Sequence, residues 1–145
     1  MKKRILSFVC AVLLMMNLSG GALAAEPRAS YYFSATEVYA SPVSNSGILI
    51  EIEVTATHTM QKVGATDVYI YEQQSDGDYE IVYTYTSDDY PELQWSNNAF
   101  YMGSVTYQGT EGVKYYATCA LYCKDSSGSE TKFFNTNIVT ATDNP

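Results

Sequence analysis

The stretch Gly47-Ile48-Leu49-Ile50-Glu51-Ile52-Glu53-Val54-Thr55-Ala56 sets an apolar side chain at every even position. Successive side chains of a strand point to opposite faces, so Ile48, Ile50, Ile52, Val54 and Ala56 share one face. Leu49, Glu51, Glu53 and Thr55 share the other. On a helix the same five apolar residues would wrap around the axis. The spacing therefore predicts a strand with one buried face and one wet face.

The same period continues outward in both directions. Tyr31–Tyr39 is rich in aromatics and is expected to end at the turn pair Ser41-Pro42. In Ala65–Glu72, Val68 and Ile70 point one way and Tyr69 and Tyr71 the other. Ser75-Asp76-Gly77-Asp78 is a hairpin turn, because glycine tolerates the positive φ that a tight turn demands. The returning strand, Tyr79–Thr86, is expected to set Tyr79, Ile81, Tyr83 and Tyr85 on one face. Ser87–Asn98 carries Asp88, Asp89, Pro91 and Asn97-Asn98 and is read as a long connection with room for one helical turn. Strand patterning resumes over Ala99–Tyr107, Val113–Lys124 and Glu130–Ala141, separated by turns at Gln108–Gly112 and Asp125–Ser129. Seven strands at short spacing, each needing to bury one face, predict an all-β fold: an antiparallel β-sandwich of about seven strands.

The chain opens with Met1-Lys2-Lys3-Arg4, an apolar run from Ile5 to Met16, a polar break at Asn17–Gly21 and the small-residue site Ala22-Leu23-Ala24. This layout is that of a secretory signal peptide. The run is shorter than the roughly 20 residues a membrane span takes. Cys10 has no small-residue lipobox before it. Residues 1–24 are thus expected to be an export signal, cleaved after Ala24 or next after Ala25, and 25–145 a single domain. The other end, Thr140–Pro145, carries no apolar tail or sorting signal, so the expected localisation is extracellular, with the protein secreted and released. Loss of Lys2, Lys3 and Arg4 takes the basic residues from 8 to 5 against 16 acidic ones, a net charge of −11. Such a charge argues against nucleic acid and anionic lipid as partners. About 120 residues suffice for one real core.

Two groups of residues carry a resemblance. Tyr115-x-Ala117-x-Cys119-x-Leu121, the Lys124–Ser129 turn and a last strand ending Val139-Thr140-Ala141 resemble the F–G hairpin of immunoglobulin-like and fibronectin-type-III-like sandwiches. Tyr115 stands where such folds keep a "tyrosine corner", which implies a hydroxyl bonded to backbone near the Gly109–Gly112 turn. Together with Met60-x-x-Val63-Gly64-Ala65 and Gly103-Ser104-Val105-Thr106-Tyr107-x-Gly109-Thr110-x-Gly112, this hairpin is similar to an uncharacterised family of small secreted proteins of Gram-positive, clostridial-type bacteria. The likeness covers nearly the whole mature chain. It implies fold and export and supplies no catalytic residue. Cys123 falls where a small residue such as Ala is expected, so its thiol is not read as a family function.

No motif carries evident chemistry. His58 is the one histidine; it sits in the expected Thr57–Thr59 connection with no nucleophile elbow to serve, and reads as a surface polar residue. Cys119 and Cys123 are four positions apart, roughly 13 Å along a strand, too far for a disulfide. Cys119 is expected to be a buried thiol and Cys123 to be more exposed. Glu51 and Glu53, about 6.6 Å apart at strand rise, match the spacing of paired glycosidase carboxylates but read as a solvated face. Asp76/Asp78 and Asp88/Asp89 lack the full calcium loop. No metal site and no cofactor is expected.

The unusual feature is 14 tyrosines. Tyrosine joins a flat apolar ring to a polar tip, suited to sugars and to protein interfaces, yet it is also simply a good strand former. Tyr69, Tyr71, Trp95 and Tyr122 are the candidate ligand-binding residues. The function expected is that of a secreted non-enzymatic interaction domain, a monomer binding a protein or surface glycan. A carbohydrate-binding module is the sharper alternative, and a small secreted hydrolase the third. Mass spectrometry of the protein from culture medium should find a chain beginning at Ala25 or Glu26; an extracellular product that keeps Met1–Ala24 would contradict the signal.

Overall fold

The structure, a computed structural model, describes residues 30–145; the expected export signal, residues 1–24, lies outside the described residues. Among the described residues there are nine strands: β1 (Phe33–Val43), β2 (Gly47–Met60), β3 (Lys62–Gln73), β4 (Tyr79–Thr86), β5 (Gln94–Trp95), β6 (Asn98–Gln108), β7 (Lys114–Lys124), β8 (Ser129–Asn135) and β9 (Val139–Thr140). One sheet has the order β1-β2-β6 and the other β4-β3-β7-β8, with β5 pairing β3 and β9 pairing β7. All pairs are antiparallel. The two sheets pack face to face as an immunoglobulin-like β-sandwich. The seven expected strands are the seven long ones; β5 and β9 are two-residue additions.

The core follows the alternation of β2. Ile48, Ile50, Ile52, Val54 and Ala56 are buried against Val63, Ala65, Val68 and Ile70 of β3 and Ala117, Cys119 and Leu121 of β7. Cys123 is buried too, contrary to the expectation of an exposed thiol. The reason is parity: β7 runs unbroken to Lys124, so Cys123 falls on the face of Cys119 and Leu121. Burial pushes the Cys119 thiol up to about 12. Cys123 is pushed up to about 11, by burial first and then by Glu130.

Four other expectations change. The chain does not turn at Ser41-Pro42; β1 runs through to Val43, and Asn45 and Ser46 make the turn at φ 60° and 59°. Pro42 is tolerated because β1 is an edge strand. His58 lies inside β2, which continues to the buried Met60 rather than ending near Ala56. In β4, Tyr83 lies opposite Ile70 but Ile81 lies opposite Tyr71, so a bulge at Val82 breaks the phase. Tyr83 and Tyr85 share the inward side of Ile70 and Val68, while Tyr79 and Ile81 share the outward side of Tyr71. Finally, the last strand is not continuous. The Thr136 hydroxyl accepts from the Ala117 N–H at 2.9 Å, and Asn137 swings away to pair with β1. Its amide accepts from the Ala40 N–H and donates to the Ala40 carbonyl, each at 2.9 Å.

Gly64 shows why a glycine is needed where β3 begins. Its φ is +145°, and a Cβ there would stand 2.1 Å from the Leu93 carbonyl oxygen. The 3₁₀ turn Pro91–Leu93 can therefore press the buried Leu93 onto β3.

Tyr115 is fully buried, and its hydroxyl accepts from the Thr110 N–H at 2.9 Å. It also donates to Glu72 Oε2 at 2.6 Å. This is the corner expected from the sequence, with a backbone donor as partner and β3 drawn in as well. Tyr116, one residue on, faces outward and stacks on Tyr71 at 4.6 Å. Tyr115→Phe is expected to cost about 1–3 kcal/mol, because two bonds at a buried hydroxyl are lost together. Tyr116→Phe keeps the stacked ring and should cost far less. Equal losses in denaturant melts of the two variants would show that the facing of β7 is wrong.

Candidate functional site

The candidate residues read from the sequence do not form one surface. Tyr69 and Tyr71 stand on the outward face of β3, opposite Thr118 and Tyr116 of β7. Tyr122 shares that face but lies six residues along β7 from Tyr116, roughly 20 Å at strand rise. Trp95 is elsewhere: it pairs with Val63, whose side chain is buried, and packs edge-on against Tyr101 at 5.4 Å and Phe100 at 6.4 Å. Within the outward set, Tyr71 and Tyr116 are stacked at an interplanar angle of 3°, and Tyr79 meets Tyr116 at 5.0 Å. These rings spend their faces on one another. A sugar stacks on an open ring face, and here a face of both Tyr71 and Tyr116 is already covered.

His58 has partners but no catalytic geometry. Its Nε2 lies 2.9 Å from Asp125 Oδ2, and its Nδ1 lies 2.9 Å from Thr57 Oγ1. The Thr57 hydroxyl donates its own proton to the Tyr31 carbonyl at 2.5 Å. It therefore presents only lone pairs to the imidazole and is not poised for deprotonation. Asp125 also accepts from the Ser127 and Gly128 N–H groups, which shapes the β7–β8 turn. The His58 hydrogen bond, then those two N–H groups, hold the Asp125 carboxyl below the usual carboxylate range. The cluster fastens the turn to the end of β2.

The three-stranded sheet carries an arrangement that sequence spacing shows only in part. On its outward face, Glu37 of β1 is directly opposite Glu53 of β2, and Glu53 is opposite Met102 of β6. In the adjacent row, Tyr39 is opposite Glu51, and Glu51 is opposite Ser104. These six side chains line a shallow trough of about 450 Å³ floored by Ile52 and Gly103. Tyr39 is 50% exposed and Met102 60% exposed. Glu51 and Glu53 are the solvated pair expected from the alternation. Glu37 was not singled out, because its place opposite Glu53 depends on long-range pairing.

The charges are segregated. Lys62, Lys114, Lys124 and Lys132, the lysines of the described residues, all lie on β3, β7 and β8. Strands β1, β2 and β6 contain neither lysine nor arginine. Like charges directly opposite on paired strands are unfavourable, and here nothing on the same sheet offsets them. Among the described residues no group of three or more histidine, cysteine, aspartate or glutamate side chains is placed to hold a metal ion. The carboxylates are spread as a grid, too open to chelate one cation. No protein-family model and no curated protein matches the chain.

Glu53→Gln should raise the denaturation midpoint of the free domain, since it removes a repulsion without touching the core. A lower midpoint at low ionic strength would show that Glu37 and Glu53 are not opposed. In the folded protein at mildly alkaline pH, Cys119 and Cys123 should resist alkylation, and both should react after unfolding.

Proposed function

We propose that this chain is an exported, non-enzymatic interaction domain that works through the outward face of its three-stranded sheet. One observation carries the proposal. The trough between Glu37 and Ser104 combines exposed Tyr39 and Met102 with an opposed carboxylate pair on strands that carry no lysine or arginine. Tyrosine and methionine are enriched in protein interfaces, where methionine adapts its shape to a partner. Local rules of strand pairing are broken most often where function requires it. Export accords with a domain built to meet partners outside the cell.

A hydrolase gains no support from His58, whose neighbouring hydroxyl gives its proton to a carbonyl. A carbohydrate-binding module would use Tyr69, Tyr71, Trp95 and Tyr122, but Trp95 stands apart from the other three, Tyr122 lies far along the sheet from Tyr71, and Tyr71 is already stacked on Tyr116. The test is a binding panel in which the immobilised exported chain meets cell-wall glycans, host glycans and secreted or surface proteins. The expected result is saturable protein binding that weakens when Tyr39 and Met102 are changed to serine. Binding of a neutral glycan that is lost on Tyr71→Ala would move the function to the other sheet. Ester or glycoside turnover abolished by His58→Ala would overturn it.

A further inference from the structure

Resting on that interaction role, we infer that the partner is a basic protein segment, one that sets lysine or arginine side chains into the trough on the three-stranded sheet. Glu37, Glu51 and Glu53 occupy neighbouring grid positions across two strands. Cross-strand neighbours stand about 5 Å apart and successive rows about 7 Å apart. This spacing is wider than one ion needs and suits successive side chains of a polypeptide.

Tyr39 and Met102 sit at opposite corners of the grid, Tyr39 directly opposite Glu51 and Met102 directly opposite Glu53. A lysine or arginine carries an apolar stem behind its charge. The stem can lie on the Met102 thioether or across the Tyr39 ring while the cation meets a carboxylate, and the tyrosine face itself attracts a cation. Docking would also relieve the Glu37–Glu53 opposition, so the partner gains from a repulsion that the free domain bears. Charge complementarity selects against the other occupants. Anionic glycans, nucleic acid and acidic proteins meet three carboxylates with no compensating lysine on that sheet. The domain's overall negative charge also speeds encounter with a basic partner, though it does not choose a site.

The experiment is calorimetric titration of the exported chain with decalysine, set beside decaglutamate and a neutral glycine–serine peptide of similar length. Decalysine should bind, more weakly as salt is raised, and the other two should not. Two triple variants separate site from general attraction. Glu37→Gln/Glu51→Gln/Glu53→Gln should weaken binding by about tenfold or more. Asp76→Asn/Asp78→Asn/Asp88→Asn removes as many charges from the other sheet's loops and should change it little. Tyr39→Ser/Met102→Ser keeps every carboxylate and should also weaken binding. Circular dichroism melts establish that each variant is folded. Equal loss in the two charge variants would mean diffuse attraction and would overturn the trough as the site. No binding of decalysine at all would overturn the basic partner. In either case a protein ligand whose binding depends on Tyr39 and Met102 would leave the interaction role standing.

Discussion

Burial of one face of β2 is the constraint on which the rest depends. Ile48, Ile50, Ile52 and Val54 are essentially inaccessible to water, and each such side chain stabilises the fold by about 1.5–3 kcal/mol when removed from water. Because a strand has period two, burying these four fixes the outward direction of Leu49, Glu51, Glu53 and Thr55. A slip of one residue would drive two carboxylates into the core. The same alternation thus makes the hydrophobic layer and holds the carboxylates at the surface. β1 and β6 pair on either side of β2 and complete the grid from both edges.

Three of the tyrosines, Tyr85, Tyr101 and Tyr115, are buried and tie separate strands together. Tyr85 of β4 donates to the Thr106 carbonyl of β6 at 2.8 Å. Tyr101 of β6 donates to the Glu92 carbonyl at 3.2 Å, and its ring lies over Gly103, where a Cβ would be 2.2 Å from its hydroxyl. Tyr115 ties the β6–β7 turn to β3. Burial pushes the Tyr85 and Tyr101 hydroxyls up to about 12, so both are protonated donors near neutral pH. A buried phenol fills volume like phenylalanine and satisfies a carbonyl that would otherwise be stranded. No buried side-chain nitrogen or oxygen among the described residues lacks a partner. These three rings serve the core, whereas Tyr39 lines the trough.

Much of this was legible in the sequence. The phases of β2 and β7, and of β3 from Val68 onward, follow from alternation, though β3 also changes phase at a bulge between Ala65 and Asp67; the turns at Ser75–Asp78 and Asp125–Ser129 were legible as well, where aspartate side chains cap backbone N–H groups. The corner role of Tyr115 came from its resemblance and from its place after the Gly109–Gly112 turn. Events that depend on distant partners were hidden. The Val82 bulge reflects pairing with β3, and the break after Asn135 reflects the reach of Asn137 to Ala40, 97 residues away. Cys123 was a failure of a different kind, since its parity with Cys119 already placed it inside. The trough was half visible: Glu51 and Glu53 show in the pattern of one strand, but Glu37 joins them only through the β1–β2 register.

A domain of this kind holds its core by one face of each sheet and is free to vary the other. Here the six-stranded sheet packs Tyr71, Tyr79 and Tyr116 on one another, while the three-stranded sheet keeps opposed carboxylates beside an exposed tyrosine and methionine. The most direct test is a two-dimensional NMR titration of the chain with decalysine. Shifts should concentrate at Glu37, Tyr39, Glu51, Glu53, Met102 and Ser104, with the amides of Tyr69, Tyr71 and Tyr116 unmoved. Shifts centred on those tyrosines, or scattered over every acidic loop, would contradict the account.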